Sequence, residues 1–324
     1  MWLLSTTFAH GANISYDFFD IHNEADDTIE CVRLSVGAVK KPVMVWFVGS
    51  VSNPVIVDYG AEYDNYKLVL PTNNFDVNTI LKDYHLVLFS HPYIPIQESY
   101  KNLNAELACC DTSQMNQDAC SKFRATSTIE YHVNRNRKVI DFVKKQEWAD
   151  ESKIIIIGHS QGATVAAHLA MNADDIYAVA YISGSPLGRY SYIQENRRKA
   201  DIGIVTAEKA QENIESNYKD WEDICSDKLF SDNARRTWKS FGRPYLNDMS
   251  KITANLFIAY GTEDIRARNC DLIPIILELD QKKNYMMLPM VGRGHNFELV
   301  ENGKSNFEDM QWQKVIDEFI LYLK

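Results

Sequence analysis

Four consecutive isoleucines, Ile154 to Ile157, run straight into Gly158-His159-Ser160-Gln161-Gly162 and then into an alanine-rich stretch over 161–171. A β-branched run without polar alternation needs cover on both faces, which is the situation of a central strand in a parallel sheet sandwiched by helices. A chain that leaves such a strand and enters a helix within a few residues has no room for bulky side chains beside the turn. Gly158 and Gly162 supply that room on either side of Ser160. Ala163, Ala166 and Ala167 allow the helix to lie close to the sheet. Its N-terminus then points at the serine and favours negative charge developing there.

The rest of the chain is consistent with one large α/β layer structure. It has 324 residues, 45% of them hydrophobic, enough to bury a sizeable core. Apolar runs at 14–20, 29–36, 42–49, 85–90, 153–158, 176–182, 255–260 and 285–289 read as strands. Helical periodicity marks 129–148, 161–171 and 307–323. The fold class expected is α/β, a mostly parallel central sheet flanked by helices. Two stretches interrupt the alternation. Residues 91–128 are polar and read as an extended loop with short helices. Residues 185–249 are about twice as long as an ordinary crossover and carry Trp221, Phe230, Trp238, Phe241 and Tyr245, so an inserted helical cap is expected. The boundaries drawn are a core of 1–184 and 248–324 with a cap of 185–247.

Several function classes are disfavoured. A formal net charge of -10 is unsuited to gripping phosphates of nucleic acid. The basic clusters Arg135/Arg137/Lys138, Arg197/Arg198/Lys199 and Arg235/Arg236 read as solvated helix faces; Arg189 and Arg243 in the cap read as solvated surface charges, with contact to an anionic group as the other reading. No apolar run is long enough for a membrane span. The start, from Met1 to Ala9, is mildly apolar without the basic residues of a secretory leader; a trimmed precursor remains the other reading. Cys31, Cys109, Cys110, Cys120, Cys225 and Cys270 include no Cys-x-x-Cys pair, and no metal-ligand spacing occurs. Three of them crowd into 109–120. That leaves two readings open, free thiols in a cytoplasmic protein or a local disulfide in an exported one. Gly292 and Gly294 lack the third glycine of a dinucleotide fingerprint.

The strand–Gly158-His159-Ser160-Gln161-Gly162–helix segment, together with Gly261-Thr262-Glu263-Asp264 and Gly294-His295, resembles the α/β-hydrolase superfamily from about residue 41 onward, the cap excepted. The resemblance implies Ser160 as nucleophile, an acid after a late strand and a histidine in the loop before the last helix. Asp264 matches the acid position, with its neighbour Glu263 as competitor, and His295 matches the base. The oxyanion hole would take one backbone N–H from Gln161 and one from Ser50, after the strand at 42–49; the His-Gly common in the family is Val48-Gly49 here. His91, at a strand end, is a candidate pocket wall, and His159 is expected to pack away from the site.

The reading that follows is a cofactor-free serine hydrolase. Ser160 attacks an ester, thioester or amide of a small-molecule acyl substrate, with an aromatic cap suiting an acyl or aromatic group. Two other classes fit the same fold: a binding protein on an inactive hydrolase scaffold, and a cofactor-free lyase or oxygenase in which Ser160 only orients the substrate.

Overall fold

Eight strands pair into a single sheet: β1 (Ser15–Glu24), β2 (Asp27–Ser35), β3 (Lys41–Phe47), β4 (His85–Phe89), β5 (Ala149–His159), β6 (Ala178–Ile182), β7 (Asn255–Gly261) and β8 (Tyr285–Met290). Their spatial order is β1-β2-β4-β3-β5-β6-β7-β8. β2 runs antiparallel to both its neighbours, β1 and β4, and the other five pairs are parallel. All eight coincide with strands expected from the sequence. The computed structural model describes residues 14–24, 27–110, 117–226 and 233–324. The apolar start, His10 and Phe230 lie outside the described residues.

The isoleucine run sits where its composition requires. β5 lies between β3 and β6, and all four isoleucines are fully buried. Alternation sends Ile154 and Ile156 to one face, with Val43, Val45 and Val179, and Ile155 and Ile157 to the other, with Met44, Leu86 and Ala180. Helices α2 (Ile129–Val143) and α3 (Gln161–Ala170) cover the first face. The terminal helix α7 (Trp312–Tyr322) covers the second through Trp312, Val315, Ile316 and Phe319. Burying each isoleucine contributes about 1.5–3 kcal/mol, so this strand is the natural axis of the core.

The structure corrects the sequence reading in four places. The terminal helix starts at Trp312, not 307, because 298–310 is a hairpin of Glu298–Glu301 against Lys304–Met310. Its turn is Asn302-Gly303, both at positive φ (52° and 74°), the pairing that suits tight hairpins. Phe307 is exposed on it. The helix expected to reach 148 ends at Val143, because the chain must turn back to enter β5; Trp148 caps the turn, its ring covered by Arg33 and met edge-on by His85. Arg135 is not on a solvated face: it is 1% exposed and its Nε donates to Asp27 Oδ2 at 2.9 Å. Residues 91–128 hold more order than a loop. Gln97–Ser99 joins Ile56–Asp58 and Lys67–Val69 in a small sheet that was not expected, whereas α1 (Gln117–Ala125) is a short helix of the kind expected.

The expected cap segment forms α4 (Ser191–Asp201), α5 (Ala207–Cys225) and α6 (Asn233–Gly242). Trp221 and Trp238 pack together there, ring centres 5.7 Å apart. Tyr245 does not join them. Its hydroxyl is buried with those of Tyr181, 2.7 Å away, and Thr164, 3.0 Å away.

Cys110 is disulfide-bonded to Cys120, while Cys31, Cys109, Cys225 and Cys270 form no disulfide. A persistent disulfide is compatible with the exported of the two compartments. No helix among the described residues is long and apolar enough to cross a membrane. Alkylation of the non-reduced, denatured protein should modify four cysteines, and six after reduction, read by intact mass; six before reduction would contradict the pairing. Replacing Cys110 and Cys120 with serine should cost about 2–3 kcal/mol for a loop this short.

Candidate active site

β5 ends at His159 and α3 begins at Gln161, so Ser160 alone makes the turn. It adopts φ 58°, ψ −120°, an unfavourable backbone for a residue with a side chain, worth about 1–3 kcal/mol of strain. Its N–H donates to Ile182 O at 2.9 Å, tying the turn to the end of β6. The flanking glycines are obligatory by contact. A Cβ on Gly158 would stand 2.4 Å from Gly162 O, and one on Gly162 would stand 2.2 Å from Phe47 O. Helix α3 therefore touches the backbone of β3 directly, leaving the serine hydroxyl proud at the strand tip.

Two later turns bring a histidine and a carboxylate to that hydroxyl. Beyond the end of β7, Asp264 accepts from the N–H groups of Arg266 and Ala267 through Oδ1 at 3.1 and 3.3 Å. That fixes Oδ2 on His295 Nδ1 at 2.5 Å, while His295 Nε2 lies 3.0 Å from Ser160 Oγ. With Nδ1–H donating to the carboxylate, Nε2 is left as the acceptor for the serine proton. Asp264 is 7% exposed. Burial pushes its carboxyl up, but the hydrogen bond and charge of His295 and the two amides outweigh burial and hold it below its usual value. Glu263 points to solvent, and its described role is a backbone N–H bond to Arg293 O.

The main chain of His295 is held as firmly as its ring. Its carbonyl accepts from His159 Nε2 at 3.1 Å and from Ser183 Oγ at 3.0 Å. His159 thus does more than pack: besides facing Trp312 edge-on, it anchors the loop that delivers His295. Sequence reasoning missed this, as it missed Ser183, because both contacts join residues far apart in the chain. Burial, with the nearby His295, pushes His159 down to about 3.

Two cavities flank Ser160. One, of about 490 Å³, is walled by Trp46, Val55, Leu70, His91 and Trp312, so His91 does line the site. The other, of about 320 Å³, has Ser127, Thr164, Ser191, Arg189, Tyr192, Phe241 and Arg266 on its walls. Ser50 borders both and Gln161 borders the second, together with Ser160 and His295. Trp46 of β3 and Trp312 of the terminal helix give the first cavity its large aromatic walls. Trp238 instead borders a separate hollow with Asp220 and Ile224. Arg189, expected on the surface, is half-buried in the second cavity, whereas Arg243 is exposed. No cluster of metal-ligating side chains occurs among the described residues.

The family model described as "BAAT / Acyl-CoA thioester hydrolase C terminal" matches residues 128–298, more than half of the chain and a span that includes Ser160, Asp264 and His295. The chain belongs to this family. None of the curated proteins matches it. Among solved structures, the acylaminoacyl peptidase of Pyrococcus horikoshii superposes with a TM-score of 0.54 at 14% identity over 96% of this chain. The chain spans 41% of that peptidase's length. The alpha/beta hydrolase GrgF from Penicillium sp. sh18 gives 0.54 at 10% identity, covering 96% of this chain and 98% of its own. DcsB, solved with a substrate analogue, gives 0.55 at 13%, covering 95% and 98%. At such identities the likeness is one of fold, and the fold is that of the α/β hydrolases. Membership of a hydrolase family, with the fold, supports hydrolase activity of a general serine type.

The buried histidines make stability pH-dependent. Burial pushes His91 down to about 3, aided by His132 and Arg135, and pushes His132 down to about 4, aided by Arg135. With His159, these rings stay neutral in the folded protein, while the unfolded chain takes up protons below its ordinary histidine value of about 6.5. The stability they confer is present above that pH and is lost as the pH falls. The thermal midpoint should therefore decline steadily from pH 7 to pH 5; a flat or rising midpoint over that range would contradict the burial of neutral rings.

Proposed function

We propose that the protein is a serine hydrolase that cleaves an ester or thioester through an acyl-enzyme formed on Ser160. The observation that carries this reading is the unbroken hydrogen-bonded chain from Ser160 Oγ through His295 to Asp264. Ser160 Oγ attacks the acyl carbonyl carbon and its proton passes to His295 Nε2. The negative oxygen of the tetrahedral intermediate is received by the backbone N–H groups of Gln161 and Ser50. Collapse expels the alcohol or thiol, which regains the proton from His295. Water then enters by the same steps, giving the free acid and restoring the serine. Asp264 holds the Nδ1–H tautomer and stabilises the imidazolium. The apolar walls Trp46, Val55, Leu70 and Trp312 of the larger cavity suit an acyl chain. The family's thioester-hydrolase description supports a thioester as readily as an oxygen ester. The helices over 185–247 serve as the cap in this reading.

A fluorophosphonate probe should label the protein at one serine, and Ser160→Ala should abolish both labelling and hydrolysis of a short p-nitrophenyl ester. His295→Ala should lower kcat by about 10⁴-fold or more, and Asp264→Asn should approach it. Glu263→Gln should leave the rate within about threefold of wild type, as expected of a solvated side chain. Folded protein that takes no label and turns over no ester, or Asp264→Asn and Glu263→Gln falling alike, would refute the assignment.

A further inference from the structure

Arg189 lies just after the polar loop that leaves β6, in the turn Gly188–Tyr190, and its guanidinium enters the 320 Å³ cavity that Ser160 and His295 also line. Of its five N–H donors, Nη1 donates to Tyr192 Oη at 2.8 Å. The group also sits 5.4 Å from the ring centres of Tyr192 and Trp238. No carboxylate of the described residues forms an ion pair with it. Glu195, whose charge reaches it, is engaged elsewhere: one oxygen lies 2.6 Å from Lys199 Nζ and the other 3.5 Å from Arg266 Nε. Arg266 approaches the same tyrosine, with Nη2 3.4 Å from Tyr192 Oη and the guanidinium 5.2 Å from its ring.

The local charge does not balance. Arg189, Arg266 and Lys199 face a single carboxylate, Glu195. Desolvation lowers Arg189 below its ordinary value, and Tyr192 and then Arg266 act on it in opposite senses. An arginine brought out of water without a carboxylate partner is the residue type that recognises a planar or tetrahedral oxyanion through paired donors. Of the serine hydroxyls lining the cavity, Ser185 and Ser191 already donate to Gly188 O, which leaves that of Ser127 as a further donor.

We propose that this cavity is a subsite for an anionic group, a carboxylate or a phosphate, carried by the substrate of Ser160, and that Arg189 is the residue that selects for it. The proposal rests on Ser160 being the nucleophile. Arg266, more exposed, adds charge at the rim. The substrate class is then an anionic acyl ester or thioester, with its apolar part against Trp46 and Trp312 in the opposite cavity.

Two matched substrate pairs separate the sources of the anion. A p-nitrophenyl half-ester of succinate against p-nitrophenyl butyrate places a carboxylate on the acyl part. An acetyl thioester of coenzyme A against that of N-acetylcysteamine places phosphate on the leaving group. In one pair the wild type should favour the anionic member in kcat/KM by about tenfold or more. Arg189→Gln should lower that member by about ten- to a hundredfold while changing the neutral one less than about threefold, with Arg189→Lys intermediate. Equal losses on neutral and anionic members, or no anionic preference in either pair, would overturn the subsite. Retained fluorophosphonate labelling of Arg189→Gln shows the nucleophile intact. A binding readout stands apart from turnover. Calorimetry on Ser160→Ala should show the preferred anionic substrate binding about tenfold more weakly once Arg189→Gln is added, and unchanged binding would overturn the proposal even if hydrolysis were absent.

Discussion

The contact on which the site depends is the touching of backbones where α3 leaves β5 and grazes β3. Gly162 meets Phe47 O so closely that no side chain fits between them, and Gly158 meets Gly162 in the same way. That proximity forces Ser160 into positive φ and lifts its hydroxyl off the sheet. The strain of about 1–3 kcal/mol is sustained by the buried strand beneath it and by the bond from Ser160 N–H to Ile182 O. Relaxing any one of these would lower the serine into the sheet and away from His295.

From that point the other groups are placed by neighbouring strand ends. β7 delivers the turn that holds Asp264, and the loop beyond β8 delivers His295. Because the strands are parallel, their C-terminal ends open on one side of the sheet, where ligand crevices of this architecture lie. His159 and Ser183, from the ends of β5 and just beyond β6, bind the carbonyl of His295. His295 is thus fixed to the same two strands that fix Ser160, so the two cannot drift apart independently. The segment closed by the disulfide is tied to the site as well: Cys109 N–H donates to Ser52 O and Cys110 N–H to Ser52 Oγ, two residues beyond Ser50.

How much of this was legible depends on the range of the interactions. The strands are readable because β-branched runs such as 154–157 report burial locally. The serine turn is readable because its glycines answer a local steric demand. Asp264 and His295 required the family pattern, since nothing in their own neighbourhoods distinguishes them from surface turn residues. The hairpin at 298–310 escaped because its strands are polar and lack alternation, although Asn302-Gly303 marks the turn. The solvated reading of Arg135, and the preferred one of Arg189, failed for a common reason. A charged side chain looks solvated in sequence, and only tertiary packing shows that Asp27 waits for one and a cavity surrounds the other. The pairing of Cys110 with Cys120, rather than Cys109, was equally beyond a local reading.

The central claim is that Ser160 carries the acyl group. Rapid quenching of the protein during turnover of a short activated ester, followed by peptide mapping, tests it most directly. The account predicts an acyl mass on the peptide containing Ser160 and on no other, formed and lost at rates that match turnover. Steady hydrolysis with that peptide unmodified throughout would contradict it.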